Sequence, residues 1–217
     1  MDATTEALTP KFNTTGFVLA LVGVAIAAGV TGYLYFLVAN KVGVDYIIAM
    51  AVILGALVGL VVGQLARIGG LRSAGIAMLI AFLFGFGGYA ARYYFEFNDI
   101  VDSAVQGVAD EAKASGVSPD QVRQLMLEAL SNQYPPGGYV GYLRVVAESG
   151  FSIGRRGTGN ANSDAPIKGG LAWGLLAAEA LAAAIVAGFT ARGIVNKANA
   201  PAVVQAPPAS TPGAPHG

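Results

Sequence analysis

One carboxylate stands inside a long apolar run. Glu179 lies within GLAWGLLAAEALAAAIVAGFT, residues 170–190, where no other side chain ionises near neutral pH. Placing a carboxylate at the centre of a bilayer-spanning helix costs about 2.5–3.5 kcal/mol on insertion scales, which makes it a functional candidate by default. Desolvation favours the neutral acid unless a cation or water reaches the group. Proton relay, ion coordination or a counter-ion role would suit such a residue. So would a structural hydrogen bond to a neighbouring helix. Partners are scarce: no Lys, Arg or His falls in the interior of any apolar run, which leaves Thr31, Gln64, Ser73 and the tyrosines.

The most specific pattern is a stripe of small residues. Gly55, Gly59 and Gly63 recur at spacing four, which puts them on one helical face and lets another backbone approach closely. Gly170 and Gly174 start a similar face that continues to Ala178, and Ala28 and Gly32 offer another. Either packing within the chain or contact with a second subunit would use these faces.

A third constellation is Gly154-Arg155-Arg156-Gly157-Thr158-Gly159, in a glycine- and asparagine-rich loop. Successive backbone amides beside two arginines suit an anion or a lipid headgroup. The loop matches neither the Walker pattern nor the dinucleotide fingerprint, so a nucleotide role has no support.

Most other chemistry is excluded. There is no cysteine, and the only histidine is His216, beside the C-terminus. Thiolate chemistry and cysteine metal sites are therefore absent, and transition-metal sites and general-base catalysis lose their usual residues. Intramembrane serine proteolysis lacks its histidine, and an aspartyl pair is missing because Asp45 is the only aspartate close to a run before residue 93. No catalytic residue, metal or cofactor is expected. Thirteen basic residues are cancelled by thirteen acidic ones, so there is no basic surface for nucleic acid.

The elements that position these residues follow from composition. Of 217 residues, 54% are hydrophobic and 12% charged, about half the charge of an ordinary soluble domain. Four apolar runs account for this: 16–38, 46–66, 74–91 and 169–190. About 20 apolar residues cross the hydrocarbon core, and backbone groups in lipid must be paired within their own segment, so each run predicts a helix. The first three are joined by tight turns. A long insertion, 93–168, holds nine of the thirteen acids.

Within the insertion, Asn98 predicts the cap of a helix beginning at Asp99, with Ile100, Val101, Ala104, Val105 and Val108 as its apolar stripe. Ser118-Pro119-Asp120-Gln121 is a second helix start, which Tyr134-Pro135-Pro136-Gly137-Gly138 ends. A short amphipathic piece, 140–148, follows. These helices are too small to form a core alone, so they must pack on each other, on the membrane surface or on a partner.

The expected fold is an all-α integral membrane protein: a four-transmembrane-helix bundle with a partly helical extramembrane insertion between helices three and four. Its segments are a polar 1–15, helices one to three in 16–92, the insertion 93–168, helix four in 169–192 and a Pro/Ala-rich, disordered 193–217. Arg67 and Arg72 sit in a turn without acids, whereas the 39–45 turn pairs Lys41 with Asp45. The positive-inside rule then puts both termini in the cytoplasm and the insertion on the opposite face. All nine tyrosines and Trp173 lie towards the insertion side, which reads as an interfacial aromatic belt. The expected function is that of a non-enzymatic structural or accessory subunit of a membrane assembly. Its partners would be the bilayer, other membrane subunits or further copies of itself. The alternative is a small, oligomeric transporter or channel that uses Glu179 for protons or ions.

Overall fold

The computed structural model describes residues 14–42, 47–150 and 167–200. Arg155, Arg156 and most of the Pro/Ala-rich C-terminal segment lie outside them. The described residues are helical, with no strand. In order they form α1 (Thr14–Val42), α2 (Ile47–Ile68), α3 (Ala74–Gly107), α4 (Ala109–Ala114), α5 (Pro119–Gln133), α6 (Gly138–Ser149) and α7 (Gly170–Asn199). Four of these, α1, α2, α3 and α7, are long and apolar enough to cross a membrane.

The four long helices pack unequally. α2 and α3 touch each other, and both touch α1 and α7, while α1 and α7 make no contact with one another. The pair α2/α3 is therefore the middle of the arrangement, with α1 in one groove and α7 in the other. Small residues make the second groove narrow. Ala51, Ala77, Ala81, Ala183, Ala184, Ala187 and Ala191 are all fully buried. Larger side chains point outward: Val18, Val22, Ile26, Val30 and Leu34 form an exposed row along α1, and Leu57, Leu79, Leu83, Leu181, Ile185 and Phe189 are exposed on the other three.

The largest departure from the sequence reading concerns α3. A helix was expected to stop near Ala91 and a new one to start after Asn98. Instead α3 is continuous over 34 residues, about 50 Å at 1.5 Å per residue, against a hydrocarbon core of about 30 Å. Asn98 is no N-cap. Its amide donates to the carbonyl of Tyr94 one turn earlier, at 2.8 Å, and its Oδ1 accepts from Arg123. The buried row Gly85, Tyr89, Tyr93, Phe97 and Val101 runs through the supposed break at spacing four, which keeps one face of the helix apolar throughout. The helix beginning at Ser73 does have its cap, with the serine hydroxyl accepting from Ile76 N.

The far end of α3 carries the small helices. α5 and α6 pack on it and on each other, and α6 also meets α7. One continuous core links the two parts: Tyr89, Tyr93, Phe97, Val101 and Tyr142 belong to the same buried cluster as Val58, Ala183 and Ala187. The rings of Phe97 and Tyr142 lie 5.6 Å apart. Arg123 on α5 pairs with Asp102 on α3. Gly169 N donates to Ala147 O at 2.8 Å, which ties the end of α6 to the start of α7. Gly137 makes the α5–α6 turn at φ +78°, where a Cβ would stand 2.6 Å from Ser131 Cα.

α5 starts where its sequence said it would. Ser118 accepts from Gln121 N at 3.2 Å and Gln121 Oε1 accepts from Ser118 N at 2.8 Å, a reciprocal capping box. Ser118→Ala removes one half of it and is expected to cost about 0.5–2 kcal/mol. Because the loss is confined to the first turn of α5, hydrogen exchange should speed up at the amides of 120–123 and stay unchanged in α3.

Candidate functional site

Glu179 is the focus of a buried polar cluster. It is 3% exposed on α7 and lies about midway between Lys168 and Arg192, which flank the apolar run. Tyr89, four per cent exposed on α3, donates its hydroxyl to Glu179 Oε2. The hydroxyl oxygens of Tyr89 and Tyr93 are 3.4 Å apart, one helical turn along α3.

Arg92 continues the cluster towards α1. It is 6% exposed, although the sequence reading allowed no cation inside a run. Its Nη1 donates to the Tyr35 hydroxyl at 2.8 Å. Its guanidinium carbon sits 4.2 Å from the Tyr35 ring centroid and 4.7 Å from that of Tyr93. A planar, weakly hydrated guanidinium between two aromatic faces is the form in which a cation tolerates burial best. Glu96, half-buried one turn further along α3, interacts with both Arg92 and the Tyr142 hydroxyl. Polar groups therefore form a sequence from Glu179 through Tyr89, Tyr93 and Arg92 to Glu96 and Tyr142, from mid-bundle to the small helices.

Of the partners the sequence offered, only the tyrosines reach Glu179. Thr31 returns its hydroxyl to Ala27 and Ala28 carbonyls, Ser73 caps α3 and Gln64 is exposed. The tyrosines also divide differently from an interfacial belt. Tyr35, Tyr89, Tyr93 and Tyr142 are buried, while Tyr33, Tyr94 and Trp173 are exposed. Tyr139 spans the two groups, donating to Ala90 O at 3.0 Å, and burial pushes its phenol up to about 12. It therefore stays a neutral donor across the physiological range. Burial and the nearby Glu96 carboxylate push the Tyr142 phenol up as well.

The small-residue faces separate cleanly. A Cβ at Gly55 would meet Ala183 O at 2.3 Å, one at Gly59 would meet Ala187 O at 2.4 Å, and one at Gly63 would meet Ile194 Cδ1 at 2.8 Å. All three glycines thus lie in the contact between α2 and α7. Gly170 and Gly174 meet nothing within 4 Å among the described residues and pack against no other helix. Gly32, on the small face expected in α1, does meet another helix: a Cβ there would stand 2.6 Å from Gly88 O. One contact went unread: a Cβ at Gly85 would stand 2.9 Å from Ala183 O. The signal for Gly85 was its place four residues before Tyr89.

Beside the cluster, between α3, α6 and α7, is a cleft of about 290 Å³. Phe86, Tyr89, Tyr93, Tyr139, Leu143 and Trp173 supply most of its walls. The cleft is almost wholly apolar; Tyr89 and Tyr93 line it, and Glu179 does not.

Fold and site together define, among the described residues, a helical arrangement with four potentially membrane-crossing helices and a buried acid–tyrosine–arginine cluster. No family model, curated protein or solved structure matches this chain.

Proposed function

We propose that the chain is a multi-pass integral membrane protein that crosses the bilayer through α1, α2, α3 and α7. It serves as a non-enzymatic structural or accessory component of a membrane assembly. The observation that carries this reading is the inverted distribution of size. The long helices bury mostly alanine and glycine, with a few larger residues such as Val24, Leu54, Val58, Val62 and Val195, and turn many valines, leucines, isoleucines and phenylalanines outward. In water that surface would be an extended apolar patch, whereas in lipid it is the surface that costs nothing to expose. The arginine-bearing turn before α3 and both termini lie on the cytoplasmic face. The far end of α3 with α4, α5 and α6 forms a rigid cap on the opposite face, held to the bundle by a shared core. Such a cap is a fixed platform for another subunit.

Purification from native membranes in mild detergent, with identification of co-purifying chains, tests the role. A stable complex with other membrane subunits is the expected result. A homo-oligomer that conducts ions in liposomes overturns it in favour of the second reading.

That second reading is a small transporter or channel using Glu179. The row of Glu179, Tyr89 and Tyr93 beside Arg92 favours it, because linked hydroxyls and carboxylates are what proton handling inside a membrane requires. Glu179→Gln keeps an oxygen to accept from Tyr89 and removes the ionisable group. For the structural role, the variant assembles normally and native function persists. For transport, it assembles normally and flux is lost.

A further inference from the structure

No described residue fills the cleft between α3, α6 and α7, and its lining together with the basic residues next to it along α6 and α7 points to an occupant. The geometry points to a binding site for a single anionic phospholipid, with one acyl chain in the cleft and the phosphate at Arg144 and Lys168. This rests on the membrane reading and adds a specific ligand to it.

The lining comes first. Phe86, Ala90, Trp173, Leu176 and Ala177 present hydrocarbon and aromatic surface along α3 and α7, and Tyr139 and Leu143 close the end nearer the cap. The volume, about 290 Å³, is near the lower end for small-molecule sites, which run from about 300 Å³. With so little polar surface, the part of a ligand inside must be hydrocarbon. The cleft also lies on the outer surface of α7, where Trp173 is 42% exposed and Ala177 is exposed. A chain can therefore enter sideways from the bilayer.

The rim supplies the charge. Arg144 follows the lining residue Leu143 on α6 and is exposed, and Lys168 precedes the Gly169 that bonds to Ala147 of the same helix. Neither cation lines the cleft, but the Gly169–Ala147 bond holds the two chain segments that carry them together next to its cap end, where a headgroup would stand. Glu148, also exposed and one turn past Arg144, is the one acid on this stretch of α6 and opposes only part of that charge. Two basic residues over one apolar slot complement a phosphate ester carrying a fatty chain.

Trp173 is the only tryptophan, so its fluorescence reports this cleft alone. The full chain is reconstituted into vesicles of phosphatidylcholine carrying increasing fractions of lipid brominated on the acyl chain. The brominated lipid is either phosphatidylglycerol or phosphatidylcholine. Brominated phosphatidylglycerol should reach half-maximal quenching at a lower fraction, by roughly fivefold for each cation, the scale for one basic residue at an anionic surface. Arg144→Gln with Lys168→Gln should abolish that preference while quenching persists. Ala177→Phe, a change at an exposed lining position, should fill the slot and abolish the preference with both cations in place. Superimposable curves for the two lipids overturn the site and leave the membrane reading intact. A preference that survives Ala177→Phe also overturns it, because the charge then acts without the cleft. Absence of quenching by either lipid overturns both.

Discussion

Gly59→Leu will yield little or no monodisperse, folded protein, whereas Gly174→Leu on α7 will behave like the parent. The contrast follows from what each position faces. At Gly59 even a methyl carbon would stand 2.4 Å from Ala187 O, 2.8 Å from Thr190 Cβ and 2.9 Å from Ala187 Cα. Two of those atoms are backbone and cannot swing aside. At Gly174 there is nothing within 4 Å. Overpacking in a close-packed interior typically costs about 1–3 kcal/mol, so Gly59→Ala already falls in that range. Leucine adds three more carbons at a contact that α2 and α7 share along much of their length, and Gly55 and Ala183 sit one turn away under the same constraint. Size-exclusion profiles and thermal midpoints in detergent check this directly. Equal behaviour of the two leucine variants would remove the close approach of α2 and α7 from the account.

Arg92→Ala carries the second largest expected effect. The substitution deletes a charged hydrogen bond to Tyr35 and the stacking of the guanidinium on two rings, and leaves a void beside them. A hydrogen bond involving a charged group is worth about 1.5–3 kcal/mol. A desolvated cation–ring contact adds about 2 kcal/mol. The expected loss is about 3–5 kcal/mol, the range seen when a buried charged contact is broken. At about 2–4 °C per kcal/mol for a chain of this size, the midpoint should fall by roughly 10 °C. Arg92→Lys keeps the charge and loses the planar fork, so it should lie between the two. An Arg92→Ala midpoint within a degree or two of the parent would mean that the guanidinium is held by nothing of consequence.

These two residues show what a sequence does and does not disclose. The Gly55, Gly59, Gly63 stripe was visible because spacing four is a property of one helix. Its partner was not, since Ala183, Ala187 and Ile194 are more than a hundred residues away. The four long apolar helices were legible for the same local reason, and so was the start of α5 at Ser118. Arg92 was passed over because it stands one residue beyond the apolar run 74–91. Tyr35, which lies 57 positions before it, supplies the contact that buries it. Asn98 misled through its type: asparagine favours caps, but within a helix its amide can also donate back to the previous turn. The continuity of α3 was written in the row Tyr89, Tyr93, Phe97, Val101 and outweighs that local preference. Glu179 was found at once because a carboxylate in a run of alanines has no apolar explanation. Tyr89 as its partner depends on how α3 and α7 pack.

The cluster and the lipid site both depend on where the long helices sit, and the absence of cysteine makes that measurable. Single cysteines are introduced at Gln124, exposed on α5, and at Leu57, Leu79 and Leu181, exposed on α2, α3 and α7. Intact cells are then treated with a membrane-impermeant maleimide, followed by detergent-solubilised samples. The account predicts that Gln124→Cys labels in intact cells, while the three outward apolar positions react with the reagent neither before nor after the membrane is made permeable, and become reactive only on denaturation. Labelling of Leu57→Cys, Leu79→Cys or Leu181→Cys in intact cells at the rate of Gln124→Cys would place those faces in water and contradict it.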